Sequence, residues 1–157
     1  MAGQPVDYMA RTRRYYEAQG FEKPYVWARF DDVPFSVLDK PLSEATLTLI
    51  TTSALHRRTT TDAREVASGS SIDPPDQLYA DDLSWARNET HLDDRGSYFP
   101  IDDLKALVAD GRIGALADRF HCAPTEYSHR RTLESDAPEI LERCRADATD
   151  IALLVPL

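Results

Sequence analysis

The chain alternates between helix-period, strand-period and non-periodic stretches. Residues 6–19 carry Val6, Met9, Tyr15 and Tyr16 at roughly helical spacing, with Arg11, Arg13 and Arg14 facing out and Gly20 placed to stop the helix. Residues 21–41, rich in proline and aromatics, read as loop with short extended pieces. Residues 45–52, Ala-Thr-Leu-Thr-Leu-Ile-Thr-Thr, are short and β-branched, which predicts a strand covered on one face or both. Residues 57–76 hold Arg, Thr, Ser, Gly, Asp and Pro-Pro with little to bury, and predict a mobile surface loop. A second, short strand is expected at residues 89–92.

Two more helices follow. Residues 102–109 place Leu104, Leu107 and Val108 on one face, with Asp102 and Asp103 at the positive end of the dipole and Gly111 as the stop. Residues 137–146 form the next, with Asp136 and Glu139 at capping-box spacing and Pro138 tolerated in the first turn. Its expected buried face is Ile140, Leu141, Cys144 and Ala148. Residues 151–157, Ile-Ala-Leu-Leu-Val-Pro-Leu, are continuously apolar, as in a strand buried on both faces. Strands alternating with helices give the expected class: α/β, Rossmann-like, a mostly parallel sheet with flanking helices, in one domain over residues 1–157.

Composition changes this picture little. With 157 residues, a net charge of -9 and no large basic cluster, the surface repels a phosphate backbone, so nucleic acid is not expected as a partner. No apolar run approaches the ~18 residues of a membrane-spanning helix. Residues 1–10 lack the build of a secretory signal, and the two cysteines, Cys122 and Cys144, share no motif spacing. A cytoplasmic protein with reduced thiols is the expectation. Histidines 56, 91, 121 and 129 have no metal-ligand spacing, so no metal site is expected.

The final strand is the oddity. A strand buried on both faces needs helices on both sides and a crossover after it, yet the sequence closes on the apolar run. Either the fold is truncated there, or the segment is an edge strand, for which Pro156 is suited.

Several strings, in order and spacing over nearly the whole chain, resemble the selenoprotein B subunits of the glycine, betaine, sarcosine and D-proline reductases. They are Val6-Asp7-Tyr8-Met9 with Tyr15-Tyr16; residues 47–52 followed by Ala54-Leu55-His56; Thr90-His91-Leu92-Asp93; Phe99-Pro100-Ile101-Asp102 with Leu104; Gly111-Arg112-Ile113-Gly114; and residues 150–156. In that family the last strand runs into selenocysteine or cysteine, two residues, then cysteine. The resemblance implies that catalysis begins immediately after Leu157, that position 158 is selenocysteine, and that a UGA codon has been read as a stop. It implies no bound cofactor in this chain, selenium beyond it, and a pyruvoyl group on a partner subunit. The implied partners are a small amino-acid-like substrate, that subunit and a thiol or selenol redox protein, with a homo-oligomer as a further expectation.

Within the chain the candidate site residues are Thr51, Thr52, Ser53 and His56, at and beyond the end of the first strand, and His91 and Asp93 in the Thr-His-x-Asp string. Hydroxyls there could hold a carboxylate or orient a selenolate; as loop caps they need no function. Cys144 reads as a core residue; Cys122, between His121 and Ala123, could be exposed, with Arg119 and His121 available to lower its pKa, yet no resolving cysteine stands nearby. The run Tyr127-Ser128-His129-Arg130-Arg131 reads as surface. The rival functional reading is a non-catalytic domain of the same fold that binds a small anion or completes its sheet with a partner.

Overall fold

The computed structural model describes residues 7–24, 26–34, 36–59, 61–81, 91–125 and 128–157. Its contacts divide the chain into two compact units, Met1–Phe35 and Ser36–Leu157. In the first, helix α1 spans Tyr8–Ala18, and the Asp7 carboxylate caps it by accepting from the Ala10 N–H at 3.0 Å. It closes on Gly20 at φ +83°, where the Phe21 N–H reaches back to the Tyr16 carbonyl. Val6, the expected start of this helix, lies outside the described residues.

In the second unit everything is arranged around β1, Thr46–Thr51, whose last five residues are buried. Odd-numbered carbonyls of this segment (Ala45, Leu47, Thr51) accept from Ala115, Ala117 and Ala123, whereas the Thr46 carbonyl accepts from Asp150. Successive carbonyls point to opposite edges of a strand. One edge of β1 therefore takes both β3, Ala115–Leu116, and β4, Arg119–Cys122, end to end. The other edge takes β5, Ile151–Val155. All three pair parallel with β1; β2, Ala67–Ser70, adds antiparallel outside β4. The class is mixed α/β with an open, mostly parallel sheet.

Two helices cover its faces. Helix α2, Ile101–Ala109, lies in the connection to β3 and contributes Ile101 and Leu104 to the core that holds Leu47, Leu49, Phe99 and Phe120. Helix α4, Ala137–Ala146, links β4 to β5 and packs Ile140 and Cys144 with Ile50 and Val66. Leu47 and Leu49 point to one face of β1 and Ile50 to the other, so the helices sit on opposite sides. That follows from topology: two crossovers of one hand, running in opposite directions across the sheet, must use opposite faces.

Five sequence expectations are corrected. Residues 57–76 are not simply a mobile loop: they contain β2 and buried Val66 and Ser71, and Arg64 forms a bidentate pair with buried Asp136. Asp136 does not cap α4, because helical backbone already precedes it, in α3 at His129–Arg131 and a wide turn at Thr132–Asp136. Leu141 and Ala148 are exposed, which leaves Ile140 and Cys144 as the buried face of α4. No strand includes His91 or Leu92, and residues 89–90 lie outside the described set. Finally, β5 is not buried on both faces: Ala152, Leu153 and Leu154 are exposed, because no further strand pairs with its outer edge among the described residues. No helix among the described residues is long and apolar enough to cross a membrane.

Two small residues set the joints around β1. A Cβ at Gly114 would sit 2.7 Å from the Glu44 carbonyl carbon and 2.8 Å from the Ala45 nitrogen, and backbone cannot step aside. Ala148 ends α4 at φ +52°, with the Thr149 N–H bonded to the Cys144 carbonyl, a place suited to glycine. Gly114→Ala is therefore expected to destabilise by on the order of 1–3 kcal/mol, as overpacking does. Ala148→Gly should stabilise by up to about 1 kcal/mol, the relief of left-handed strain less glycine's greater chain entropy. Urea unfolding of the two variants beside the parent checks both signs.

Candidate functional site

Open α/β sheets bind ligands beyond the carboxyl ends of their strands, where neighbouring connections diverge. Here β1 is that divergence point, since the chain leaves it toward β3 and β4 on one edge and returns to β5 on the other. A cleft of about 310 Å³ opens beyond β1 and β4. Thr52, Ser53 and His56 line it from β1, Cys122 and Thr125 from β4, and Arg57 and Arg58 from the following turn.

The hydroxyls in this cleft have assigned partners. Thr51 Oγ1 donates to the Tyr98 carbonyl at 3.0 Å and lies 2.8 Å from Ser53 Oγ. Its single proton is thus committed, so Ser53 must donate to it, and Thr51 also accepts from the Ser53 N–H at 3.2 Å. Both acceptor positions of Thr51 are filled, and both residues are fully buried. They tie the end of β1 to the segment entering α2. Thr52 is different: its Oγ1 accepts the Leu157 N–H at 2.8 Å, and its carbonyl accepts from Thr125 Oγ1 at 3.1 Å. Thr52 therefore holds the end of the β5 segment at the border of the cleft.

His56 is exposed at the cleft, and Arg57 reaches Asp81 at 3.0 Å while lying over the Tyr79 ring. Arg58 donates to the Ala63 carbonyl at 2.7 Å, and Asp62 receives the Thr59 N–H at 2.6 Å, closing a tight turn. The sequence offered little to select these residues beyond the adjacent Arg57-Arg58 just past a strand end. Among the described residues no group of three or more His, Cys, Asp or Glu could hold a metal ion.

His91 and Asp93 do not join this cleft. Both are exposed; the Asp93 N–H bonds to His91 Nδ1 at 3.3 Å, and the side chains approach to 3.5 Å. This is a local surface turn, and only Asp93 lines a second cleft, with Arg95 and Tyr98.

Cys122 is corrected. It is buried, and burial pushes its thiol up to about 12. Strand alternation is the cause: Arg119 and His121 point to the face under α4, while Cys122 and Phe120 enter the core on the α2 face. Neither side chain can help the thiolate. Cys144 also has its pKa raised, by burial first and then by Asp147.

No protein-family model, curated protein or solved structure matches the chain.

A thiol held near 12 should be silent in the folded protein. Against an aromatic disulfide reagent at pH 8, Cys122 is expected to react at least 100-fold more slowly than a free thiol, and fully once denaturant is added. Peptide mapping after a timed quench identifies which cysteine is labelled; rapid native labelling at Cys122 refutes its assignment to the core.

Proposed function

We propose that this chain is the front portion of a selenol- or thiol-dependent oxidoreductase with Rossmann-like layering, resembling the selenoprotein B subunits of amino-acid reductases. The reaction is the reductive cleavage of a C–N bond in glycine, betaine, sarcosine or D-proline. It consumes two electrons, supplied as a selenolate and a neighbouring thiol close to a selenide–sulfide. The nucleophile belongs to residues following Leu157, and a pyruvoyl group on a partner subunit activates the substrate in the cytoplasm.

The observation that carries the reading is the path of β5. It runs parallel to β1 as an apolar strand with no charge or proline in its five residues, exposes Ala152, Leu153 and Leu154, and has an outer edge that pairs with no strand among the described residues. Natural sheets blunt such edges unless something covers them. The strand leads toward the cleft, where Thr52 anchors Leu157. Residues arriving by that path enter beside His56 and the guanidinium groups of Arg57 and Arg58, whose charge favours an anionic chalcogen or a substrate carboxylate.

The same cleft supports the rival reading. With the Thr51 and Ser53 hydroxyl protons committed and Cys122 held as a neutral thiol, the cleft offers Arg57 and Arg58, beside Asp62 and Glu65, without a nucleophile. The two guanidinium groups are what a small-anion site would rest on.

Translation of the reading frame through its stop distinguishes the two. The reductase reading expects a cysteine codon three positions after the UGA. It also expects the extended protein, with cysteine at position 158, to show a redox-active pair by thiol titration against a dithiol buffer. A frame without that cysteine, or an extended protein with no such pair, overturns it. The anion-site reading then expects sulfate to bind the 157-residue chain with an affinity that His56→Ala weakens severalfold.

A further inference from the structure

Of the four histidines only His121 is buried, and no step proposed above uses it. It lies on β4, under α4, across the sheet from Cys122. Its Nδ1 is 2.8 Å from Ser68 Oγ on the directly opposite residue of β2. Ser68 Oγ in turn accepts from Arg143 Nη1 of α4 at 2.6 Å, and Arg143 is braced by Glu139 at 2.5 Å. On the other side of the ring, Nε2 is buried with no hydrogen-bond partner in the structure and stands 3.9 Å from Asp147 Oδ2, at the C-cap of α4. Arg119 Nε and Nη2 hold that carboxylate at 2.8–3.1 Å.

The proton count follows. Arg143 occupies one lone pair of Ser68, which frees the serine hydroxyl proton for His121 Nδ1. In that arrangement Nδ1 is bare and the ring proton sits on Nε2, facing the Asp147 carboxylate, which would repel a bare nitrogen. A second proton at Nδ1 reverses the Ser68 bond, the ring then donating to the serine's other lone pair. It also seats a positive charge near Arg143 and Arg119, while Arg119 already engages Asp147. The groups facing the ring are Ser68 from β2, Arg119 from its own strand, and Arg143 and Asp147 from α4 and its cap. Ser68 with Arg143, and Arg119 with Asp147, bridge sheet and helix.

We propose that His121 is an acid-released latch: neutral, it lies under α4 and shares Ser68 with Arg143, and protonated, its buried charge opposes Arg143 and Arg119, the two residues that bond α4 and its cap to the sheet, and lets α4 lift. Lifting α4 opens the apolar cavity of about 580 Å³ between α4 and β5 and loosens the short joint that sets β5. Burial, the largest influence, holds the His121 pKa below its ordinary value, with Arg119 and Arg143 acting in the same direction and Asp147 opposing. A histidine released to water takes its proton near pH ~6.5. The lifted state therefore binds more protons below that pH. Docking is at full strength above it and weakens as pH falls toward the lower, docked-state pKa.

The test is amide hydrogen exchange of the 157-residue chain between pH 7.5 and 5.5, with α2 as internal reference so that intrinsic exchange rates cancel. Protection of α4 should fall relative to α2 by up to about tenfold per pH unit, the limit for one linked proton. In His121→Gln the relative protection should stay flat. Parallel loss in α2 and α4, or an unchanged pH dependence in His121→Gln, overturns the latch. Should the variant not fold, nitrogen NMR of the wild-type imidazole decides: the neutral Nε2–H tautomer at pH 7 supports the proposal, and an imidazolium there overturns it.

Discussion

The second unit depends on β1 being buried on both faces while paired on both edges. Leu47 and Leu49 demand cover on one side and Thr48 and Ile50 on the other. Parallel neighbours on both edges can be reached only by crossovers, and opposite directions of travel send α2 and α4 to opposite faces. Burying Leu49 alone is worth roughly 1.5–3 kcal/mol, a large share of a typical domain's net stability. The buried hydroxyls of β1 are satisfied within the structure. Thr48 shares a 2.6 Å bond with Thr149, and Thr51 takes Ser53 and Tyr98.

What could be read from the sequence follows from this. The helices and β1 declare themselves by period, since each has one apolar side and a legible end. The stops at Gly20 and Gly111 follow from left-handed backbone there. β3, Ala115–Leu116, is too short to show a period, and β4 is missed because Arg-Phe-His-Cys does not look like a strand. Its two polar positions are under α4, where Asp147 and Ser68 receive them, and no local pattern records a partner 28 or 53 residues away. β2 was missed for a related reason. Gly69 must be small because a Cβ there would lie 2.4 Å from the Phe120 ring, so the strand is written as Ala-Ser-Gly-Ser.

The candidate site divides along the same line. Thr51 and Ser53 attract attention because hydroxyls at a strand end suit a ligand, but burial has already committed both protons and the lone pairs of Thr51. Sequence reveals that a group could donate or accept, not whether that capacity is spent. Thr52 and His56 keep access to the cleft, and Arg57 and Arg58 join them from a segment that reads as featureless. His91 and Asp93 satisfy one another locally and lie exposed, as a two-residue spacing permits without any site.

The two ends of the α4 connection show opposite treatments of unfavourable surface. At its start, Arg64 and Asp136 are withdrawn from water and matched in a bidentate pair, which offsets much of the desolvation each charge would suffer alone. At its end, β5 leaves Leu153 and Leu154 in contact with water and its outer edge unpaired among the described residues. Chance surface apolarity accounts for one such residue, but not for an uncharged strand held in full parallel register with β1. Asp150 fixes that register by binding both Lys40 and the Thr46 N–H, and these bonds keep its carboxyl below the usual range. The strand is therefore positioned just before its first residue by Asp150 and tethered at Leu157 by Thr52, while no strand among the described residues pairs with its outer edge.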